Sequence, residues 1–228
     1  DREDGLWIGT YYGGVGYIPS SAMRNRFDMY FPTRDGLQGS VVSRFAEDAR
    51  HRIWIATDDA GIDCYDPLTD SFLDFPGKQA MAKYNAHALL ADGDNLWVGT
   101  YGRGIIRMNM ATGAQTPVRM DSYALNSSCY YFFRDRKHRL WATSMLGAFV
   151  LDNQKQEFRR VKLFNSLTMD MEEDRQGNLW FATQENGLWC LRRNNTWKQY
   201  LYSEKDTCSL VSNQVNSIQI DGRGRLFV

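Results

Sequence analysis

The sequence predicts an all-β fold, and three observations carry that prediction. A pattern of thirteen or fourteen residues recurs along the chain: an Asp-started turn, a short apolar strand holding Trp, a small residue and Thr, then a turn closed by Gly. It runs from Asp1 to Gly14, Asp48 to Gly61, Asp92 to Gly104, Asp135 to Gly147 and Asp174 to Gly187. A sixth copy begins at Asp221 and stops at Leu226-Phe227-Val228. The second observation is the period. Anchored on Thr10, Thr57, Thr100, Thr143 and Thr183, the steps are 47, 43, 43 and 40 residues. The third is that each period reads as four strands, with period-two alternation and turn punctuation and no sustained helical spacing. Four strands per period of this length define a β-propeller of four-stranded antiparallel blades, about five blade equivalents in all.

Strand a precedes the Asp turn, at Val41–Glu47, His87–Ala91, Tyr130–Arg134, Met169–Glu173 and Val215–Ile220. Strand b carries the Trp pattern. Its Trp and the small residue two places on (Gly9, Ala56, Gly99, Ala182) share one face, which predicts a large indole seated against the next sheet. Strand c follows the Gly, at Gly16–Ile18, Ile62–Tyr65, Ile105–Met108, Ala148–Leu151 and Leu188–Leu191. Strand d closes the unit at Ser71–Phe75, Glu157–Lys162 and Trp197–Tyr202. The leading Asp suits an Asx turn, with backbone N–H groups two residues on bound to its carboxylate. Positive φ in that turn falls on Gly177 and Gly224, and less comfortably on His51 and Asp4. One copy departs. Counted from Thr143, a residue is missing after Asp135, which puts Leu140 in the Trp position, turns Trp141 to the other face and predicts different packing for that blade.

The repeat-bearing segments lie near 1–18, 41–65, 86–109, 128–152, 168–191 and 215–228, and residues 1–228 are expected to form one propeller domain or a fragment of one. Because the chain starts and stops inside copies of the pattern, a piece of something longer is expected. Strand a near 215–220 could close a five-bladed ring with the first blade. The trailing Leu226-Phe-Val is redundant in such a closure and favours an arc of a larger ring.

Lys plus Arg and Asp plus Glu are 27 each, so the formal charge is zero, which speaks against a nucleic-acid binder. No apolar run reaches the roughly 20 residues of a membrane helix. Cys64, Cys129, Cys190 and Cys208 lack metal-type spacing and read as apolar filler, with no metal and no cofactor expected. His51 and His138 fall in a–b turns. His87 opens strand a, but no second His or matched carboxylate cluster is evident beside it in the sequence, so no catalytic residue is expected.

The string Asp-x-x-Gly-x-Leu-Trp-Ile-Gly-Thr-x-x-x-Gly-Leu, repeated across essentially the whole chain, resembles the two-component regulator propeller repeat. The resemblance implies a seven-bladed periplasmic propeller of a hybrid two-component sensor, of which this chain would be an arc. It also implies a membrane helix, a histidine kinase module and a response module elsewhere in the receptor, and an oligosaccharide ligand. Sialidase Asp-boxes and Trp-Asp repeats differ in spacing or residues. Streptogramin-lyase-like propellers use a similar repeat, so an enzyme is the third expectation, after a propeller used for protein contact or homodimerisation.

The expected site lies in the b–c turns, where residues vary inside the fixed frame of Thr and Gly: Tyr11, Tyr12, Asp58, Asp59, Tyr101, Arg103, Gln184 and Glu185. Aromatic faces stack on sugar rings, and carboxylates, amides and guanidinium bind hydroxyls. The bland alternative for each is a solvated turn. The d–a segments Tyr84-Asn85 and Tyr123 to Asn126 are expected at the same end.

Overall fold

The computed structural model describes residues 6–9, 14–18, 28–32, 36–120, 128–145, 147–164 and 166–228. The chain divides into two compact units, Asp1–Val118 and Arg119–Val228. In the first, β1 (Leu6–Gly9), β2 (Val15–Ile18) and β3 (Asp28–Tyr30) form an antiparallel sheet in that order. The next sheet holds β4 (Val42–Glu47), β5 (Ile53–Thr57), β6 (Gly61–Asp66) and β7 (Ser71–Leu73). A short helix, α1 (Lys78–Met81), leads to β8 (Ala86–Asp92), β9 (Asn95–Thr100), β10 (Gly104–Asn109) and β11 (Gln115–Met120). In the second unit β12 (Cys129–Arg134), β13 (Leu140–Ser144), β14 (Gly147–Asp152) and β15 (Glu157–Leu163) pair in chain order. So do β16 (Thr168–Glu173), β17 (Leu179–Thr183), β18 (Leu188–Leu191) and β19 (Trp197–Tyr200). A last pair, β20 (Gln219–Ile220) and β21 (Leu226–Phe227), is all that forms of the strand expected at Val215–Ile220 and its partner. The fold is all-β, in antiparallel four-stranded blades. The strands β3 and β11 take the strand d position in blades where no range for it was read from sequence, and only the helix α1 is unexpected, because four residues leave no periodicity to see.

The repeated Asp is a clasp. Asp48 Oδ1 accepts the N–H groups of Arg50 (2.9 Å) and Arg52 (3.1 Å), and its Oδ2 accepts the Arg52 Nε–H and the Trp54 indole N–H at 2.8 and 2.9 Å. Asp135 binds Lys137, Arg139 and Trp141 in the same way, and Asp174 binds Gln176, Asn178 and Trp180. Burial pushes each carboxyl up, but these donors together outweigh it and hold Asp48, Asp135 and Asp174 below the ordinary 3.8. The backbone half of this clasp follows from Asx-turn chemistry; the bond to the indole does not.

That bond corrects the reading of the fourth blade. Trp141 lies six residues after its Asp, as Trp54 and Trp180 do, and it is 1% exposed. It pairs with Val150 as Trp54 pairs with Cys64 and Trp180 with Cys190. Ser144, opposite Gly147, takes the slot held elsewhere by Thr opposite Gly. Thr143 falls in the small-residue slot, fully buried, its hydroxyl without a hydrogen-bond partner among the described residues. The missing residue is therefore in the b–c turn. The Asp–Trp clasp sets the register, and the threonine count misled.

The Trp faces pack as expected. Trp54 and Ala56 share a core cluster with Leu89, Leu96 and Val98 of the next sheet, and Phe75 meets the indole edge-on at 4.9 Å. Trp141 packs with Leu179, Phe181 and Met171. Trp180 is partly buried against Val215, Ile218 and Leu226. Three of the four cysteines are buried, whereas Cys208 is exposed and so is not core filler.

Gly61 is needed twice over, for its φ of 81° and because a Cβ there would overlap the Met81 carbonyl oxygen at the end of α1. Gly102, φ 69°, faces open space. Gly61→Ala is expected to cost upwards of about 2 kcal/mol, and Gly102→Ala only about 1, the left-handed penalty alone. Urea unfolding of the two variants checks this; equal losses would contradict the close approach.

Candidate functional site

The b–c turns are built on a common frame. The hydroxyls of Thr57, Thr100 and Thr183 donate to the carbonyls of Gly61, Gly104 and Gly187. The next residue then donates its N–H to the incoming d–a connection: Asp58 to Val41 O at 2.8 Å, Tyr101 to Asn85 O at 2.9 Å and Gln184 to Leu167 O at 3.0 Å. Each turn is thereby tied to the segment that leads into its own blade, which holds the variable side chains at one end of the sheet.

The first strand of each full blade also carries a bulge at that end. Register shifts fall between Val42 and Arg44, Ala86 and Ala88, Cys129 and Tyr131, and Thr168 and Asp170. Ser43, His87, Tyr130 and Met169 are the extra residues, and such bulges re-aim side chains. His87 is aimed at a neighbouring blade's turn: its Nε2 lies 3.0 Å from Asp58 Oδ1, and its ring centroid 5.9 Å from that of Tyr101. Tyr101 is 56% exposed. The result is a half-exposed carboxylate steadied by an imidazole beside an open phenol ring.

The expected site residues have different fates. Tyr11, Tyr12 and the segment Tyr123 to Asn126 lie outside the described residues. Asp58 and Tyr101 come together through His87, whose carboxylate partner was not visible in the sequence because it belongs to another blade. The Asp59 carboxylate is committed to structure, accepting the Ser40 N–H (2.9 Å), the Ser40 hydroxyl (2.7 Å) and the Val41 N–H (3.3 Å). Burial pushes its carboxyl up, and these bonds pull it below 3.8. Arg103 is exposed, with its guanidinium 5.9 Å from the centre of the Tyr84 ring. In the second unit Gln184 is half-buried and Glu185 exposed, its N–H bound to Ser166 Oγ at 3.0 Å. His51 and His138 sit in turns at φ 63° and 59°.

Among the described residues no group of three or more His, Cys, Asp or Glu side chains is placed to hold a metal ion. A cleft of about 440 Å³ in the second unit, walled by Trp180, Tyr200, Cys208 and Leu210, was not anticipated from sequence. Among the described residues no helix is long and apolar enough to cross a membrane.

Antiparallel four-stranded sheets, repeated on one pattern with variable b–c turns, define a β-propeller repeat array. Two of its repeats, residues 36–59 and 162–185, match the two component regulator propeller family, each match running through the Asp clasp and ending in the b–c turn. No curated protein matches the sequence. The structure is similar to an extracellular domain from B. thetaiotaomicron assigned to the hybrid two component system BT3049, with a TM-score of 0.80 and 15% identity over 98% of this chain and 30% of that one. It is equally similar (TM-score 0.80, 18% identity) to the extracellular domain of BT4673 from the same organism, covering 97% of this chain and 29% of that one. Streptogramin B lyase gives a TM-score of 0.74 at 14% identity, over 99% of this chain and 72% of the lyase. The chain thus spans about 30% of the length of the two extracellular domains, and at these identities the likeness is one of fold.

Proposed function

We propose that this chain is part of the periplasmic, ligand-sensing propeller of a hybrid two-component receptor, and that its b–c turns recognise an oligosaccharide. The observation that carries the reading is the Asp58–His87–Tyr101 arrangement, an exposed aromatic face beside a positioned hydroxyl acceptor. The likeness to extracellular domains assigned to hybrid two component systems supports the receptor context. In that context the segment itself is not an enzyme, and its partners are the remaining blades, the kinase module and a second copy of the receptor. Binding signals only if the ligand prefers one arrangement of blades or subunits over another; tight binding alone shifts nothing.

A calorimetric screen of oligosaccharides against the ectodomain carrying this chain tests the reading. With a binding sugar in hand, Tyr101→Ala and Asp58→Ala are each expected to weaken affinity by roughly 1 to 3 kcal/mol, the cost of a lost partner for a polar group. Thr112→Ala, in the c–d turn at the opposite end, is expected to leave it unchanged. A loss from Thr112→Ala with both turn variants intact would move the site. The likeness to streptogramin B lyase and the His87–Asp58 pair favour a second reading, a general base held by a carboxylate. Turnover by the wild type that His87→Ala abolishes would establish that reading instead.

A further inference from the structure

The connection between the second and third blades carries two lysines with opposite fates. Lys78, on α1, turns inward, its Nζ 3.1 Å from Oδ1 of the fully buried Asp63. Lys83 is exposed and lies with its Nζ 5.2 Å from the centre of the Tyr84 ring. Arg103, from the facing b–c turn, sets its guanidinium 5.9 Å from the same ring. Several arginines at the a–b and c–d turns have a carboxylate of their own: Arg52 has Asp48, Arg139 has Asp135, Arg159 has Asp152 and Arg225 has Asp221. Among the described residues neither Lys83 nor Arg103 has a carboxylate within 4.0 Å, and the acid of the adjoining turn, Asp58, is taken by His87. Two like charges held near one aromatic ring repel each other. The attraction of a cation for the ring face steadies both but does not cancel their charge. What such a pair lacks is an anion.

We propose that Lys83, Tyr84 and Arg103 form a subsite for an anionic substituent of the ligand, a carboxylate or a sulfate ester, next to the surface that Tyr101 and Asp58 offer to its neutral part. The inference rests on the oligosaccharide reading and narrows it to acidic sugars. The guanidinium fork meets either anion with two parallel N–H bonds, while the lysine supplies a point charge. The Tyr84 ring, already facing both cations, limits the rotamer entropy lost on binding.

The test needs no identified oligosaccharide. The full chain is titrated with sodium sulfate and, separately, with sodium glucuronate at constant ionic strength set by chloride, and the side-chain resonances of Arg103, Tyr84 and Tyr101 are followed by NMR. Saturable shifts are expected in at least one titration. Lys83→Gln with Arg103→Gln should weaken the response at least about tenfold, and Arg103→Lys should restore part of it. A response to sulfate alone assigns a sulfate ester, and one to glucuronate alone assigns a uronic acid. Absence of saturable shifts in both titrations, or a double variant that titrates like the wild type, overturns the subsite. A neutral oligosaccharide whose binding is weakened by Tyr101→Ala would then leave the proposed function standing without it. Anion binding at Arg103 in a protein that takes no oligosaccharide would sustain the subsite and overturn the sugar reading.

Discussion

Replacing Trp54 by Ala is expected to cost 3 to 5 kcal/mol, the usual loss when a core indole is removed, and to lower the melting temperature by roughly 10 °C. The side chain is fully buried, and its ring fills the space between two sheets, against Phe75, Leu89 and Val98. Its N–H is also one of the four donors on Asp48, so the clasp loosens as the cavity opens. His138→Gly should go the other way, holding or slightly raising stability, because a histidine at φ 59° carries a left-handed penalty that glycine does not. Thermal melts of the two variants that shifted equally would reject the wedge.

Asp135→Asn is expected to cost about 3 kcal/mol near neutral pH, because an amide cannot accept from Arg139 and the buried Trp141 indole as a carboxylate does. The sign with pH follows from the lowered carboxyls of Asp48, Asp135 and Asp174. Their stabilisation is present above the unfolded value of 3.8 and is lost as the pH falls through their lower folded values. Asp63 runs the other way. Burial raises its carboxyl, so its contribution is fullest in acid and is lost as the pH rises through that raised value. Denaturation between about pH 6 and pH 2 should therefore show a falling wild-type stability whose slope is shallower in Asp135→Asn. An unchanged slope in the variant would show that the clasp is not titrating.

Most of the architecture was legible because each repeat states its own turn chemistry and strand alternation. Local rules place Asp48, Gly61 and the Trp face without knowledge of any other blade. What could not be read was whatever passes between blades. His87 is aimed by a bulge that leaves no mark in residue type, and its partner Asp58 lies 29 positions earlier, in the turn of another sheet. The Asp59 carboxylate, though exposed, also bonds Ser40 and Val41, and nothing in an Asp-Asp pair says which carboxylate the d–a connection takes up. Trp141 was misplaced by counting from Thr143, because Thr fits the small-residue slot closely enough to pass for the one after it. Lys83 went unremarked because exposed lysines are common and only the Tyr84 ring gives this one a neighbour.

The most direct test of the sensing claim is a crystal structure of the ectodomain with the oligosaccharide that calorimetry selects. A sugar ring is expected to stack on Tyr101 with a hydroxyl donating to Asp58, while the His87–Asp58 contact stays at its present 3.0 Å. Sugar bound instead at the c–d end near Thr112, or in the cleft of Trp180 and Tyr200 with the turns empty, would contradict it.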